Sequence, residues 1–504
     1  MPIATFVDTI RAQVGPGQIL ALVLAVCLYL RHRSLRSAVQ LTHAKDSSLA
    51  ECVRSQCPSL ARGFFSAAPL LANGHLQTVT ASLSARISKK SRGDLRYRRD
   101  LVHLKDGGLV AIDWDVESDR LPANAPILIV LHGLGGGSRD KYIVDFVPHA
   151  SKLGFKAAAL NSRGCGGLSV KTPQLYSGSY TDDLRAMIDF IHKTHPESPL
   201  IGIGFSLGAN IMLKCVGEDG AQTKLTACIS VANPFDLNLG ITLLHSTWVG
   251  RELYSRALAT SLINFFKLHM PVFITAEDPL ARMHSINPSE VLNAKYLNEF
   301  DDAATRRMFK FRTVSEYYRM ASSAQYLPDV CIPTLLLSDL DDPVAMSKSI
   351  PVADVIANPN VVLATTRRGG HIGWYEGFWN LKRWYPKPIL EFCSAVIKDH
   401  QAPAPTLMKR KMPPNVSAKV KPIQVDVSVM TMPVGSAIDG NCVVRKSDSS
   451  TCLRKRLISQ WVRFCALLSA QFAKYSNNPA AILLVLTTAI VAYRRRHVKA
   501  VSGI

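Results

Sequence analysis

Ser206 lies in a short stretch with glycines two positions to either side, Gly204-Phe205-Ser206-Leu207-Gly208. A serine hydroxyl becomes a useful nucleophile only when a base takes its proton, and it must be presented free of competing backbone contacts. An apolar β-type run precedes the stretch and a helical pattern follows it, and the glycines permit a sharp turn between the two. The pattern predicts that Ser206 is a catalytic nucleophile. The alternative is a serine in an ordinary glycine-rich loop.

A second glycine-rich loop, His132–Gly137, follows the apolar run Ile127–Leu131. A loop of this kind offers a backbone N–H to a tetrahedral oxyanion, beside the N–H of the residue after the nucleophile. We therefore assign the two oxyanion donors to Leu134 and Leu207. A phosphate-binding loop is the alternative, but no Gly-Lys-Ser/Thr follows the glycines. His132 is expected to shape the loop rather than to act as an acid or base.

Candidates for the catalytic acid and base come later in the chain. A strand-like run ends in three acids, and we expect the acid that orients the histidine among them. Asp342 is favoured over Asp341, and Asp339 is too early. His371 stands in a glycine-rich loop after a further apolar run. The order Ser206, Asp342, His371 is the Ser, Asp, His order of α/β hydrolases.

Between residues 95 and 400, strand-like and helix-like stretches alternate, which is typical of a mostly parallel sheet with helices on both faces. We predict an α/β-hydrolase fold with an eight-stranded sheet and a helical lid, residues 236–325, inserted between strands 6 and 7. Two helices are predicted, Asp182–His195 capped by Thr181 and Leu207–Cys215 after the serine. The predicted strands are Leu109–Trp114, Ile127–Leu131, Lys156–Leu160, Leu200–Gly204, Ala227–Val231, Thr334–Leu337 and Val361–Ala364.

The net charge of +21 is concentrated at the two ends of the 504-residue chain. Residues 1–100 carry 14 Lys and Arg against 5 Asp and Glu, and residues 401–504 carry 16 against 3. Because the longest apolar runs lie in these basic ends, the pattern favours a membrane with anionic lipid over nucleic acid as a partner. The eleven cysteines have neither paired nor metal-type spacing, so we expect no disulfide framework, metal or cofactor.

The apolar run Val14–Leu30 is at the short end of what spans a bilayer. Residues 1–36 are predicted to be a retained single-pass anchor in the endoplasmic reticulum or another endomembrane, with a cleaved signal peptide as the alternative. Residues 401–455 have the composition of a disordered basic linker, and residues 456–504 hold amphipathic and apolar stretches that we expect to associate with the membrane. The positive-inside rule gives opposite orientations for the two ends, which leaves the orientation open.

Over residues 60–400 the chain resembles AB hydrolase family four. This branch contains membrane-anchored eukaryotic esterases and phospholipases, bacterial YheT-like hydrolases and yeast medium-chain ethanol acyltransferases. The resemblance implies a charge-relay triad at Ser206, Asp342 and His371, an N-terminal anchor, and acyl esters of lipids or small alcohols as substrates. Beyond the triad it rests on Asn73–Thr78, Asn161–Gly167, Thr181–Leu184, Asn233–Asp236, Glu299–Asp301 and Ser315–Tyr318.

The residues and the resemblance together predict a membrane-associated serine esterase or lipase, with lipid or fatty acyl esters as substrates. Acyl transfer to an alcohol is the second hypothesis, because the same acyl-enzyme serves both reactions. A non-catalytic lipid-binding protein on the same fold is the third, and an intact triad argues against it. Within the resemblance, Tyr317 and Tyr318 are expected to pack the lid, and Asp182 and Asp183 to cap a helix rather than to clamp Arg163.

Overall fold

A nine-stranded sheet forms the centre of the protein, in the order β2-β11-β10-β9-β8-β6-β7-β5-β4. The six strands from β11 to β7 are parallel, and β5, β4 and β2 run antiparallel to their neighbours. The strands are β1 Arg36–Ala38, β2 Gln40–His43, β3 Phe64–Ser66, β4 Tyr97–His103, β5 Leu109–Asp115, β6 Ile127–Leu131, β7 Lys156–Asn161, β8 Leu200–Phe205, β9 Ala227–Val231, β10 Thr334–Asp339, β11 Val361–Thr366, β12 Tyr375–Glu376 and β13 Lys382–Arg383.

The computed structural model describes residues 35–87, 95–274, 286–378, 380–402 and 407. The predicted anchor run, nearly all of the basic linker and the C-terminal stretches lie outside these residues. Within the described parts, no helix combines the length and the apolar character needed to cross a bilayer.

The prediction of eight strands is wrong by one. The two strands not named from the sequence are β4 and β2, and β2 pairs with β11 through residues such as His43 opposite Val362. With four residues, three of them polar, β2 is too short and too polar to show an alternating pattern. The seven strands named from the sequence are all present, and five of them run one or two residues further. Asp339 and Thr366, for example, pair with each other at the ends of β10 and β11.

Helices cover both faces of the sheet because alternate strand residues point to opposite sides. Leu128 and Val130 of β6 pack with α1, α4 and α14, whereas Ile127 and Ile129 pack with α5, α6 and α13. The helices are α1 Ser48–Gln56, α2 Pro58–Ala61, α3 Gly74–Ile87, α4 Lys141–Lys152, α5 Asp182–Thr194, α6 Leu207–Asp219, α7 Leu237–His245, α8 Arg256–Ile274, α9 Pro288–Asn293, α10 Leu297–Phe300, α11 Arg306–Met308, α12 Val314–Ala321, α13 Val352–Ala357 and α14 Pro386–His400.

The start of α5 differs from the prediction. The Thr181 hydroxyl does not cap the helix; it donates to Glu218 Oε2 at 2.6 Å and accepts from Arg185 Nη1 at 2.7 Å. The expectation that Asp183 caps α5 is also wrong, because its carboxylate accepts two hydrogen bonds from Arg163, from Nε at 2.6 Å and Nη2 at 2.7 Å. Buried charges need such partners, and a planar guanidinium supplies both at once.

A helical insertion separates β9 from β10, running from α7 to α12 with π-helical turns at Gly250–Ser255 and Asp301–Thr305. Its own apolar core includes Leu262, Phe266 and Phe300. Helix α8 crosses the glycine-rich loop, since the Ser261 hydroxyl lies 3.5 Å from where a Cβ on Gly135 would be. The insertion is therefore placed to cover the carboxyl ends of the strands.

Candidate active site

Ser206 occupies the sharp turn from β8 into α6, with φ 54° and ψ −120°. A non-glycine residue rarely adopts a positive φ, and such strain is characteristic of functional positions. Glycine is needed at positions 204 and 208 because other backbone atoms leave no room for a Cβ there. A Cβ on Gly204 would lie 2.3 Å from the Gly208 carbonyl oxygen, and a Cβ on Gly208 would lie 2.3 Å from the His132 carbonyl oxygen. The turn thus presents the serine side chain beyond the end of the sheet.

The structure brings the three predicted triad residues together. The Ser206 Oγ lies 2.8 Å from His371 Nε2, and His371 Nδ1 lies 2.8 Å from Asp342 Oδ2. The Asp342 side chain is almost fully buried, and its Oδ1 accepts from the backbone N–H groups of Val344 and Ala345, both at 2.8 Å. The aspartate is therefore held so that its second oxygen accepts the Nδ1 proton of His371.

The neighbouring acids bind the backbone instead of His371. Asp341 Oδ2 accepts from the Gly74 N–H at 2.6 Å, and its Oδ1 accepts from the Gly370 N–H at 3.1 Å. Asp339 accepts from the Thr366 hydroxyl and from the Asp341 N–H. Burial, reinforced by the neighbouring Asp341 carboxyl, raises the pKa of Asp339 well above its usual range. These two acids connect the histidine loop to the start of α3.

The two predicted oxyanion amides flank Ser206. Gly133 approaches so closely that a Cβ there would lie 3.2 Å from the Ser206 Cβ, and Leu134 follows it. Leu207 is the first residue of α6, where a helix leaves backbone N–H groups without internal partners. Among the described residues, neither the Leu134 nor the Leu207 amide donates a hydrogen bond. Both remain able to donate to an oxyanion beside the serine.

Two tyrosines that were not predicted from the sequence hold the glycine-rich loop. The Tyr142 hydroxyl accepts from the Gly133 N–H at 2.8 Å. The Tyr176 hydroxyl accepts from the Gly135 N–H and donates to the Gly133 carbonyl at 3.2 Å. Leu134 is thereby fixed from both sides. Tyr142 lies nine residues after Gly133, at the start of α4, and Tyr176 lies 43 residues after it. No local pattern indicates that either hydroxyl binds the loop.

We expect Tyr176→Phe to lower kcat roughly tenfold with little change in KM. Removing a whole oxyanion donor costs about 10²- to 10³-fold, and loosening the loop that aims one should cost less. Steady-state kinetics on a soluble ester measures the effect. Tyr180→Phe is a matched control, because the Tyr180 hydroxyl makes no hydrogen bond within the described residues. A raised KM at unchanged kcat would contradict this positioning role.

His132 shapes the loop, as predicted. Its Nδ1 donates to the Gly133 carbonyl at 2.7 Å, and its Nε2 accepts from the Ser162 N–H at 3.2 Å. Burial lowers the pKa of His132, which favours the neutral ring that this pair of contacts requires. Both ring nitrogens are occupied, so His132 has no nitrogen free to exchange a proton with a substrate.

The segment Asn73–Thr78, quoted above for its resemblance, supports the histidine loop. The Thr78 hydroxyl accepts from the His371 N–H at 2.8 Å and donates to the Gly74 carbonyl at 2.7 Å. The Gln77 side chain accepts from the Tyr375 N–H at 2.8 Å, just beyond the histidine. The sequence pattern marked this segment, but its role as a support for His371 becomes visible only in the structure.

A mainly apolar pocket begins at Leu134 and Leu207, the two residues predicted to donate to an oxyanion, and is lined on its other sides largely by the helical insertion. Asp301 lies at its wall and accepts from the Tyr318 hydroxyl at 2.8 Å and the Thr305 hydroxyl at 2.6 Å. Burial raises the pKa of Asp301 to about 6. Tyr317 and Tyr318 are buried, as expected for packing residues. The apolar lining is formed by Leu134, Leu175, Leu207, Leu262, Phe265, Phe300, Ala304 and Met308.

No described group of His, Cys, Asp and Glu side chains is arranged to hold a metal ion. The described cysteines are free thiols. Burial raises the pKa of Cys215, Cys228 and Cys393, so these thiols behave as small apolar side chains.

The comparisons with known proteins agree with this geometry. The chain is 30% identical over 389 residues to a monoacylglycerol lipase of Saccharomyces cerevisiae, covering 69% of this chain and 84% of that protein. It is 31% identical to the phospholipase ABHD3 of Mus musculus (61% and 74% covered) and 27% identical to the medium-chain fatty acid ethyl ester synthase/esterase 2 of S. cerevisiae (69% and 91% covered). Residues 126–377 match the family described as alpha/beta hydrolase fold. The chain therefore belongs to the α/β-hydrolase fold family.

Proposed function

We propose that this protein is a serine carboxylic ester hydrolase that acts on lipid acyl esters through Ser206, His371 and Asp342. The observation that carries the proposal is the continuous pair of 2.8 Å contacts from the Ser206 Oγ through His371 to Asp342. In this arrangement His371 Nε2 takes the serine proton as Oγ attacks the ester carbonyl carbon. Asp342 keeps the proton on Nδ1 and stabilises the imidazolium that forms.

The attack converts the carbonyl oxygen into an oxyanion, which the amides of Leu134 and Leu207 stabilise. The imidazolium then donates its Nε2 proton to the departing alcohol oxygen as the ester bond breaks. The acyl group stays on Ser206 as an ester. A water molecule, deprotonated in turn by His371, attacks that ester, and its collapse returns the proton to Ser206 and releases a carboxylic acid.

A lipid acyl group is the substrate class that the site supports best. The cavity beside Leu134 and Leu207 is lined mainly by aliphatic and aromatic side chains, as a hydrocarbon chain requires. The three relatives are named as a monoacylglycerol lipase, a phospholipase and a medium-chain fatty acid ethyl ester synthase/esterase, and these names support a lipid substrate.

Acyl transfer to an alcohol is a second candidate, favoured by the ester synthase/esterase among the relatives. The acyl-enzyme on Ser206 is the same in both reactions. If an alcohol enters instead of water, His371 deprotonates the alcohol and the product is a new ester. Hydrolysis and transfer thus differ only in which nucleophile reaches the acyl group.

We further propose that the protein works at an endomembrane, with residues 1–36 as a single-pass anchor. The apolar run Val14–Leu30 and the basic charge at both ends support this placement. Anionic lipid accounts for the basic ends without nucleic acid as a partner.

Incubating the full-length protein with monoacylglycerol, lysophospholipid and fatty acyl ethyl ester, with and without added ethanol, tests the proposed function. We expect free fatty acid from at least one of these esters, together with ethyl ester when ethanol is present if transfer competes. Product analysis by mass spectrometry separates the two. A folded protein that releases no acid from any of these esters would refute the proposal.

A further inference from the structure

Helix α3 carries an apolar stripe on the side that faces away from the protein. Leu76, Val79 and Leu83 are each between 39% and 47% exposed and stand at i, i+3 and i+7, which places them on one face. The opposite face, with Gln77 and Thr78, is buried against the histidine loop. A surface helix normally turns its apolar stripe toward the core, so this stripe is unusual.

The helical insertion adds to the same surface. Trp248 is 67% exposed and Leu253 is 47% exposed. The insertion is joined to α3 through His75 and Tyr254, whose rings stack and whose Nδ1 and hydroxyl oxygen lie 2.8 Å apart. Because His75 directly precedes Leu76 and Tyr254 directly follows Leu253, this contact brings the two exposed leucines near each other. Together with the exposed Leu70 before α3, we call these residues the apolar rim: Leu70, Leu76, Val79, Leu83, Trp248 and Leu253.

The apolar rim is carried by the elements that surround the candidate active site. The helix that carries half of it also provides the Thr78 hydroxyl, which accepts from the His371 N–H at 2.8 Å. The insertion that carries Trp248 and Leu253 continues into α8, which crosses the glycine-rich loop. Large exposed apolar patches mark binding surfaces, and this one lies on the helix and the insertion that pack around the catalytic candidates.

The way the N-terminal chain joins the fold identifies the occupant. The apolar run Val14–Leu30 reaches the described structure at β1, where Arg36 pairs with Ser66, only four residues before Leu70. The Arg36 guanidinium also covers the exposed Phe64 ring at 4.1 Å, an aromatic and basic pair suited to a membrane interface. A bilayer that held this run would therefore lie near Leu70, one end of the apolar rim.

We infer that the apolar rim inserts into the bilayer that holds the N-terminal run, so that lipid esters pass from the membrane to Ser206 without crossing water. The inference rests on the proposed function and specifies how the site meets its substrate. Trp248 and the leucines withdraw from water on insertion, and burying the exposed parts of several such side chains together strengthens membrane binding by about tenfold or more.

A triple variant tests the inference in the full-length protein: Leu76→Ser with Val79→Ser and Trp248→Ser. On monoacylglycerol carried in phosphatidylcholine vesicles, we expect its kcat/KM to fall about tenfold or more, from the lost insertion of three apolar side chains. On a soluble p-nitrophenyl ester of a short acid, we expect no change. Leu153→Ser with Ile356→Ser is the matched control, because both residues are more than half exposed and precede the amino ends of β7 and β11, away from the site.

Fluorescence gives an independent reading. The contribution of Trp248 to the tryptophan emission is the difference between the unaltered protein and Trp248→Phe. Vesicles with brominated acyl chains should quench this contribution, since bromine quenches only tryptophans at the depth of the chains. Equal loss of activity on both substrates, or no quenching of Trp248, would overturn the inference and assign the rim to contacts within the protein. Failure of the unaltered protein to hydrolyse the soluble ester would instead count against the proposed function.

Discussion

Ser206→Ala should lower kcat for ester hydrolysis by roughly 10⁵- to 10⁶-fold, because the triad residues act as a unit and the nucleophile is indispensable. The same change should abolish covalent labelling by a fluorophosphonate, whose phosphorus the serine oxygen attacks. Any residual rate above the uncatalysed reaction would come from substrate binding and the proposed oxyanion amides.

The fold should survive this substitution. Alanine keeps the Cβ that the turn already accommodates at φ 54°, and the only hydrogen bond that the Ser206 hydroxyl makes among the described residues is to His371. Thermal unfolding should therefore stay within a few degrees of the unaltered protein. Labelling or hydrolysis that persists in a folded Ser206→Ala protein would show that another nucleophile is at work.

Asp342→Asn should lower kcat about 10⁴-fold, the cost of a histidine held in the wrong tautomer. The structure gives the reason. Oδ1 accepts from the Val344 and Ala345 N–H groups, so the asparagine oxygen takes that position and its NH₂ group faces His371 Nδ1. An N–H donor there forces Nδ1 to accept, which moves the imidazole proton to Nε2. His371 then cannot take the proton of Ser206.

Asp341→Asn is the informative comparison, since its carboxylate binds backbone N–H groups and does not contact His371. One of those N–H groups would face the new NH₂, so we expect a lower Tm and a loss of activity of about tenfold. Steady-state kinetics and thermal unfolding of both variants separate a tautomer effect from a loosened loop. Equal activity losses in the two would argue against Asp342 as the acid.

The parts of the fold that could be predicted are those where burial restricts the residue types in the sequence. A strand covered on both faces, such as Ile127–Leu131, must be apolar throughout, so its position was evident to the residue. The turn at Ser206 was evident too. Neighbouring backbone lies so close to positions 204 and 208 that only glycine fits there, and these glycines mark the turn in the sequence. The serine, acid and histidine then follow from chain order at strand ends.

The features that escaped prediction depend on which polar side chains meet in the folded chain. Thr181 lies at a helix start, where a capping residue is expected. Its hydroxyl instead donates to Glu218 and accepts from Arg185. Tyr142 and Tyr176 hold the glycine-rich loop, although no pattern around either residue indicates it. A single chain does not show which of several polar partners will meet, because burial and distance decide that together.

The edge strand β2 has a consequence for biosynthesis. It pairs antiparallel with β11, residue 43 opposite residue 362, so its partner emerges from the ribosome only after most of the chain has been made. Until β11 is made, the backbone N–H and C=O groups of β2 lack their strand partner. The edge of β10 that β11 will cover is exposed for the same time. Contacts so distant in sequence form slowly and leave the nascent chain open to misassembly. Tethering the N-terminal segment during synthesis would keep this early strand near the place where its late partner arrives.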